Sequence, residues 1–230
     1  MKRTGIYFDP LLSAGKKLVE QGPMVEDETV IGESQDVKIA PVADSPAGTG
    51  LPPLEMFLQR NLIFPLICRL TSFEGALALF EKESHSLIMH VSRLAPLARE
   101  RRILVPRLPA IEDCSRFWSA AMVLEHLIIS GSSIKNVVQH LAEGRQPAGA
   151  ASIDAVKPRG ELAGEACVDS FIEFNSQFLN AMHAVRSVKQ TRASFSHPWF
   201  GQLTLKQWVC LAAIHQRIHR RQVEAIISRL

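Results

Sequence analysis

Between Phe73 and Leu94, apolar or small residues stand at positions 73, 77, 80, 84, 87, 91 and 94, and this alternation of four and three leaves the segment little choice of fold. Steps averaging 3.5 residues put all seven side chains on one stripe of an α-helix, and so narrow a stripe is buried only against other helices running nearly alongside. Thr71 with Glu74 three residues later reads as a capping box that starts this helix. Ser84 is the weak position of the seam, and His85 and His90 flank it as surface or rim residues.

Three more segments carry the same period. One runs from about Arg116 to Glu143, with Asp113 or Ser115 as its cap and Gly144 just past its end. Its core face is Phe117, Ala121, Leu124 and Ile128, with Trp118, Glu125 and His126 beside that face, and Gly131 marks a bend. Another runs from about Glu165 to Lys189 on the stripe Val168, Phe171, Ile172, Phe178, Leu179, Met182 and Val185, with His183 next to it. The last starts at the capping box Thr204 and Gln207 and repeats through Trp208, Leu211, Ala212, Ile218 and Ile226. Between them lie the Pro-punctuated connection Arg101 to Pro109, a Gly-, Ala- and Pro-rich loop over 144–164, and a tight loop from Ser196 to Thr204 in which Trp199 and Phe200 plug the bundle end. Leu54 to Leu70 reads as a short helix that Pro65 kinks or ends. With 47% hydrophobic residues in 230, few β-branched runs and no internal repeat, the economical fold is all-α, a four-helix bundle over 51–230. Residues 1–50, rich in Gly, Pro, Ser, Asp and Glu, read as a disordered or loosely packed extension.

Charge and cysteine usage narrow the function. A net charge of +3 supplies no general pull toward nucleic acid or anionic lipid, and the basic clusters Arg99-Glu100-Arg101-Arg102 and Arg217/Arg220/Arg221 read as solvated faces. Cys68, Cys114, Cys167 and Cys210 show no CxxC spacing, which argues against a structural zinc site or a disulfide framework and points to a reducing cytoplasm. The N-terminal residues lack an apolar signal core, and no eighteen apolar residues are consecutive. Neither export nor membrane insertion is expected.

The chemistry-bearing stretch is His215-Gln216-Arg217-Ile218-His219, with Gln222 a turn further on. Imidazoles at i and i+4 stack about 6 Å apart along one helix face, so one metal ion can bridge them. Hydrogen-bonded core histidines meet the same spacing by chance, and a catalytic site of the zinc type needs a third protein ligand from elsewhere.

The run His197-Pro198-Trp199-Phe200-Gly201-Gln202-Leu203-Thr204, then Trp208, His215, His219 and Gln222, resembles the DinB-like superfamily of metal-binding four-helix bundles, in particular its branch with the pattern HPxFGxLT…HxxxHxxQ. Trp118 to Leu127 resembles the place where that family carries its first metal histidine. The resemblance spans roughly residues 71–230. It implies a divalent metal held by His126, His215 and His219, zinc first with nickel or iron as alternatives, and one position left for water or substrate. That branch often carries a further histidine just before the second of the helix-four pair, where this chain has Ile218.

Characterised members include transferases that join low-molecular-weight thiols to electrophiles, so the resemblance implies a metal-dependent thiol transferase or a related hydrolase acting on a small-molecule thiol. Three neutral imidazoles on a dication leave an acidic open position, which favours thiolate or hydroxide. Glu125 and Gln222 are the candidates for acid–base or supporting work. The competing reading is a non-catalytic metal-binding or stress-related interaction module. An open coordination position beside a cavity separates the two. Nucleic acid and membrane are not expected as partners, and monomer and homodimer both remain open.

Overall fold

A computed structural model describes residues 50–188 and 192–230, and all structural statements concern these. The extension read over residues 1–50 lies, apart from Gly50, outside them. In chain order the elements are α1 (Pro53–Leu58), α2 (Phe64–Leu70), α3 (Phe73–Ser92), α4 (Pro96–Glu100), β1 (Ile103–Leu104), β2 (Phe117–Trp118), α5 (Ala120–Ala142), α6 (Ala166–Val185), β3 (Ser194–His197), β4 (Gly201–Thr204) and α7 (Leu205–Ile227). The long helices α3, α5, α6 and α7 form a four-helix bundle, with α7 packed against α3 and α5, and α6 against the same two. Among the described residues no single helix is long and apolar enough to cross a membrane.

The seam of α3 is buried at Leu77, Phe80, Ser84, Leu87 and Val91, where Phe80 stacks on Phe178 of α6 at 4.3 Å between ring centroids. Its cap is Ser72, whose hydroxyl accepts from the Gly75 N–H at 3.0 Å, one residue later than the expected Thr71. Thr71 is spent on the preceding helix, where its N–H closes α2 onto the Ile67 carbonyl. Pro65 does not end that helix either. A π-helical turn over Gln59–Ile63 joins α1 to α2 directly before it, and the widened turn accommodates a residue that has no N–H to give. Phe64 and Cys68 are buried on the inner side, while Leu54, Phe57, Leu62 and Leu70 face outward.

The second long helix also starts later than expected. Phe117 and Trp118 pair as a strand with Ile103 and Leu104, and the Val105 N–H donates to the Arg116 carbonyl at 3.0 Å. These ladder bonds hold Phe117 and Trp118 extended until Ser119 caps α5 through the Met122 N–H at 3.1 Å. On α6 the helix ends at Val185, and Ile172 is exposed rather than part of the stripe. Arg99, expected on a solvated face, is buried: its guanidinium donates to the carbonyls of Val91, Ser92 and Leu94 at 3.0–3.1 Å and so satisfies the C-terminal end of α3. Arg220 likewise turns inward to pair with the buried Glu83 and with Glu224. Arg217 and Arg221 are exposed, as are His85 and His183.

Gly131 serves packing between helices rather than a bend, since α5 continues through it and a Cβ built there would lie 2.2 Å from Cζ of Phe174 on α6. Gly131→Ala should therefore cost on the order of 1–3 kcal/mol despite alanine's better helix propensity. Urea unfolding of this variant, alone and combined with Phe174→Leu, checks the cause: the second change should recover part of the loss.

Candidate metal centre

His126 lies on the second turn of α5, while His215 and His219 stand one turn apart on α7, the helix that packs beside it. The three rings meet between these helices. His126 Nε2 is 3.1 Å from His215 Nε2, and His219 Nε2 is 3.0 Å from the same atom. These three are the group of side chains among the described residues whose donor atoms could jointly hold a metal ion. His126 and His219 are buried and His215 is half-buried.

The other ring nitrogens explain which atoms converge. His126 Nδ1 lies 2.7 Å from the Val156 carbonyl, which can only accept, so that nitrogen carries the proton. His219 Nδ1 lies 2.8 Å from Gln222 Oε1, and the orientation of that amide is set by its NH2 donating to the Ser115 carbonyl at 2.7 Å. Ser130 donates its hydroxyl to the His126 carbonyl at 2.6 Å, leaving its oxygen as the acceptor facing His215 Nδ1 at 3.5 Å. With the Nδ1 protons so placed, the Nε2 atoms present lone pairs to one another at hydrogen-bond distance. Such lone pairs repel unless a cation stands between them. Nitrogens 2.0–2.1 Å from one tetrahedral ion are roughly 3.3 Å apart, close to the spacing found.

Burial keeps the rings neutral. It lowers His126 to about 4 against an ordinary 6.5, although the Val156 carbonyl pulls the other way. His215 is held well below the ordinary value by burial and then by the neighbouring His219 and His126, and His219 by burial and then by His126. Neutral imidazole is the form that binds a metal.

The triad opens on a cavity of about 340 Å³ whose wall includes Trp118, Ile134, Ile153, Trp199 and Trp208. Trp118 lies nearly parallel to His219, with 6.1 Å between centroids and 9° between planes, and is tilted against His126 at 5.1 Å. The loop over 144–164 is one wall, with Pro147, Ala151 and Val156 among its lining residues. Glu125 does not line this cavity. Its buried carboxylate accepts from the N–H groups of Arg159, Gly160 and Glu161 at 3.0, 2.8 and 3.3 Å, which pins the loop to α5. Gln222 is fully buried, with its oxygen on His219 and its NH2 on Ser115.

Ser130 and Val156 belong to the site and were not singled out from the sequence, while His197 was named there only as the first residue of the HPxFGxLT run, without a role at the site. The spacing of Ser130, four residues after His126 on one helix, is the one signal that points to either of the first two. His197 ends β3, opposite Gly201 at the head of β4, and Gly201 closes the intervening three-residue turn at φ +70°, a conformation that favours glycine. The turn carries Trp199 and Phe200 into the cavity wall, where Phe200 stacks on Phe64 of α2 at 4.4 Å.

No family model and no curated protein matches this chain. Among solved structures, the crystal structure of TT2238, a four-helix bundle protein, aligns with 20% identity over 67% of this chain and 98% of its own, at a TM-score of 0.45. A likeness of that degree carries no argument about function, and the bundle stands on the packing described above.

Two outcomes follow from the hydrogen bonds and the burial. Gln222→Leu removes the acceptor that orients His219 and should weaken metal binding about 10- to 100-fold, as read by competition with a chromophoric chelator. In metal-free protein the folded pKa values of His126 and His197 lie near 4 against 6.5, so below pH 6.5 the unfolded chain binds more protons. Stability should be full above about pH 6.5 and fall as the pH drops toward 4, measured by thermal melts in chelator.

Proposed function

We propose that this chain is a divalent-metal-dependent enzyme of the DinB-like kind, with zinc the favoured ion, held by His126, His215 and His219. The activity proposed is transfer of a thiol to an electrophile or the related hydrolysis. The observation that carries this reading is the convergence of three Nε2 atoms on the wall of a cavity large enough for a small molecule. A structural ion is normally enclosed by four protein ligands. Here no fourth His, Cys, Asp or Glu among the described residues joins the three, and the remaining side is the cavity, which weighs against a purely structural or interaction role. The four unpaired cysteines fit a reducing cytoplasm.

The donor set suits the ion. Three neutral imidazoles keep the full positive charge of a dication in place, and when bound it would supply Lewis acidity that favours the anionic form of a thiol or water beside it. The chain's own part is positional. The Val156 carbonyl, the Ser130 hydroxyl and the Gln222 amide fix the three ring tautomers, and Trp118 keeps two of the rings from turning. Apolar lining lowers the local dielectric, so fixed charges act more strongly there than in water. No cysteine lines the cavity, so the attacking group comes from the ligand or from solvent.

His215→Ala should abolish metal retention while the bundle still folds, because the apolar core that joins the four helices is made of other residues and His215 itself is only half-buried. Elemental analysis of untagged protein with circular dichroism checks both halves. Wild-type protein loaded with metal and offered a panel of thiols with a general electrophile should then show a rate that the variant lacks. Equal rates in the two proteins across the panel would leave only the non-catalytic module.

A further inference from the structure

The cavity beside the triad has a chemical character of its own. Among the described residues, Glu112 and Lys157 are the only ionisable side chains in its wall apart from histidines, and no arginine lines it. Both are engaged elsewhere: the buried Glu112 carboxylate accepts from the Gly50 N–H at 3.2 Å and from the Cys114 thiol at 3.6 Å, while Lys157 Nζ lies 4.0 Å from Asp154. The rest of the wall is mainly apolar, with Phe64, Ile134, Val137, Phe195, Leu211 and Ile214 together with the tryptophans and the alanines of the loop, and its uncharged polar members are Gln59, Asn136 and four serines. A ligand with several carboxylates would leave its hydration behind and meet a single cationic side chain in the wall, that of Lys157. At about 340 Å³, the space is roughly twice a cavity that encloses benzene.

Two donors in this wall lack acceptors. His197 Nδ1 accepts from the Trp199 N–H at 3.1 Å, so in the neutral ring, lowered to about 4 by burial, the proton sits on Nε2. That N–H has no acceptor among the described residues. The indole N–H of Trp208 is buried and also unpartnered, and its ring meets His197 edge to face at 5.4 Å. His197 lines the same cavity as His126, His215 and His219. The buried, unpaired indole N–H is unfavourable, and a ligand carrying an acceptor oxygen relieves it, while the half-buried His197 N–H is open to the same oxygen.

We propose that the cavity takes an uncharged, aromatic or similarly apolar molecule of about two fused rings bearing one hydrogen-bond acceptor, and that the His197 Nε2–H receives that acceptor and orients it toward the triad. This rests on the metal-site reading for the chemistry but not for the binding, since neither the apolar wall nor His197 is a metal ligand. It assigns the cavity to the compound that is attacked rather than to a thiol of several charges. His197 is then a positioning residue.

The test is calorimetric titration of the full chain, stripped of metal by chelator, with 2-acetylnaphthalene, naphthalene and glutathione. The expected result is one-to-one binding of 2-acetylnaphthalene, weaker binding of naphthalene and none of glutathione. His197→Asn retains a side-chain acceptor for the Trp199 N–H but loses the Nε2 donor. It should weaken 2-acetylnaphthalene about three- to tenfold, the value of one neutral hydrogen bond, and leave naphthalene unchanged. Ala151→Trp, which fills the cavity from the loop side, should remove binding of both. Binding that survives Ala151→Trp would mean an external surface, and absence of binding by wild type or tighter binding of glutathione would overturn the assignment. If His197→Asn fails to fold, the wild-type panel and Ala151→Trp still decide it. Metal retention by the same preparation before stripping reports separately on the triad.

Discussion

The arrangement around the triad depends on where three protons sit. Each Nδ1 faces an oxygen that is free to accept, from Val156, Ser130 or Gln222, and so each Nε2 is left with its lone pair turned toward the other two. Two of these oxygens come from parts of the chain remote from α7: one from the loop after α5, one from α5 itself. The third belongs to a glutamine held by the Ser115 carbonyl just before β2. The centre is therefore assembled by tertiary packing, and only the pair on α7 is local.

That packing explains the small elements that interrupt an otherwise helical chain. The β1–β2 pairing delays the start of α5, brings Trp118 against His126 and His219, and leaves the Ser115 carbonyl where Gln222 can reach it. The β3–β4 hairpin carries His197 and the two following aromatics to the cavity, and the Phe64–Phe200 stack ties it to α2. Each is too short to be stable alone. They persist because the bundle buries their inner residues, Phe195 and Leu203 among them.

What could be read from the sequence follows the reach of the interactions. The seam from Phe73 to Val91 and the capping box at Thr204, whose hydroxyl and backbone N–H both meet Gln207, depend on residues within a turn or two, and periodicity reveals them. The approach of His126 to α7 joins residues 89 apart, and spacing alone says nothing of it; resemblance to other sequences was needed. Arg99 and Gly131 were misread for the same reason. A basic residue among basic neighbours looks solvated and a glycine in a helix looks like a bend, until the carbonyls at the end of α3 and the ring of Phe174 come into view. The strands escaped notice because two- and four-residue segments carry no usable period.

Glu125 and His126 are sequence neighbours that grip the same loop at two places, one through three N–H groups at 159–161 and the other through the carbonyl of 156. The loop is thereby divided into parts with different freedom to change. From Ala142 to the turn at 154 the loop lines the cavity and is tied down chiefly by Gln146, whose amide donates to the Ser194 carbonyl at 2.8 Å, so insertions or altered side chains there would reshape the cavity while the imidazoles stay in register. Between 156 and 161 the chain spans a fixed gap between adjacent residues of one helix, and a single added residue would have to release either the carboxylate or the ring. A lineage reshaping this cavity, or an engineer doing so by hand, has about twelve positions to vary before touching the histidine cluster.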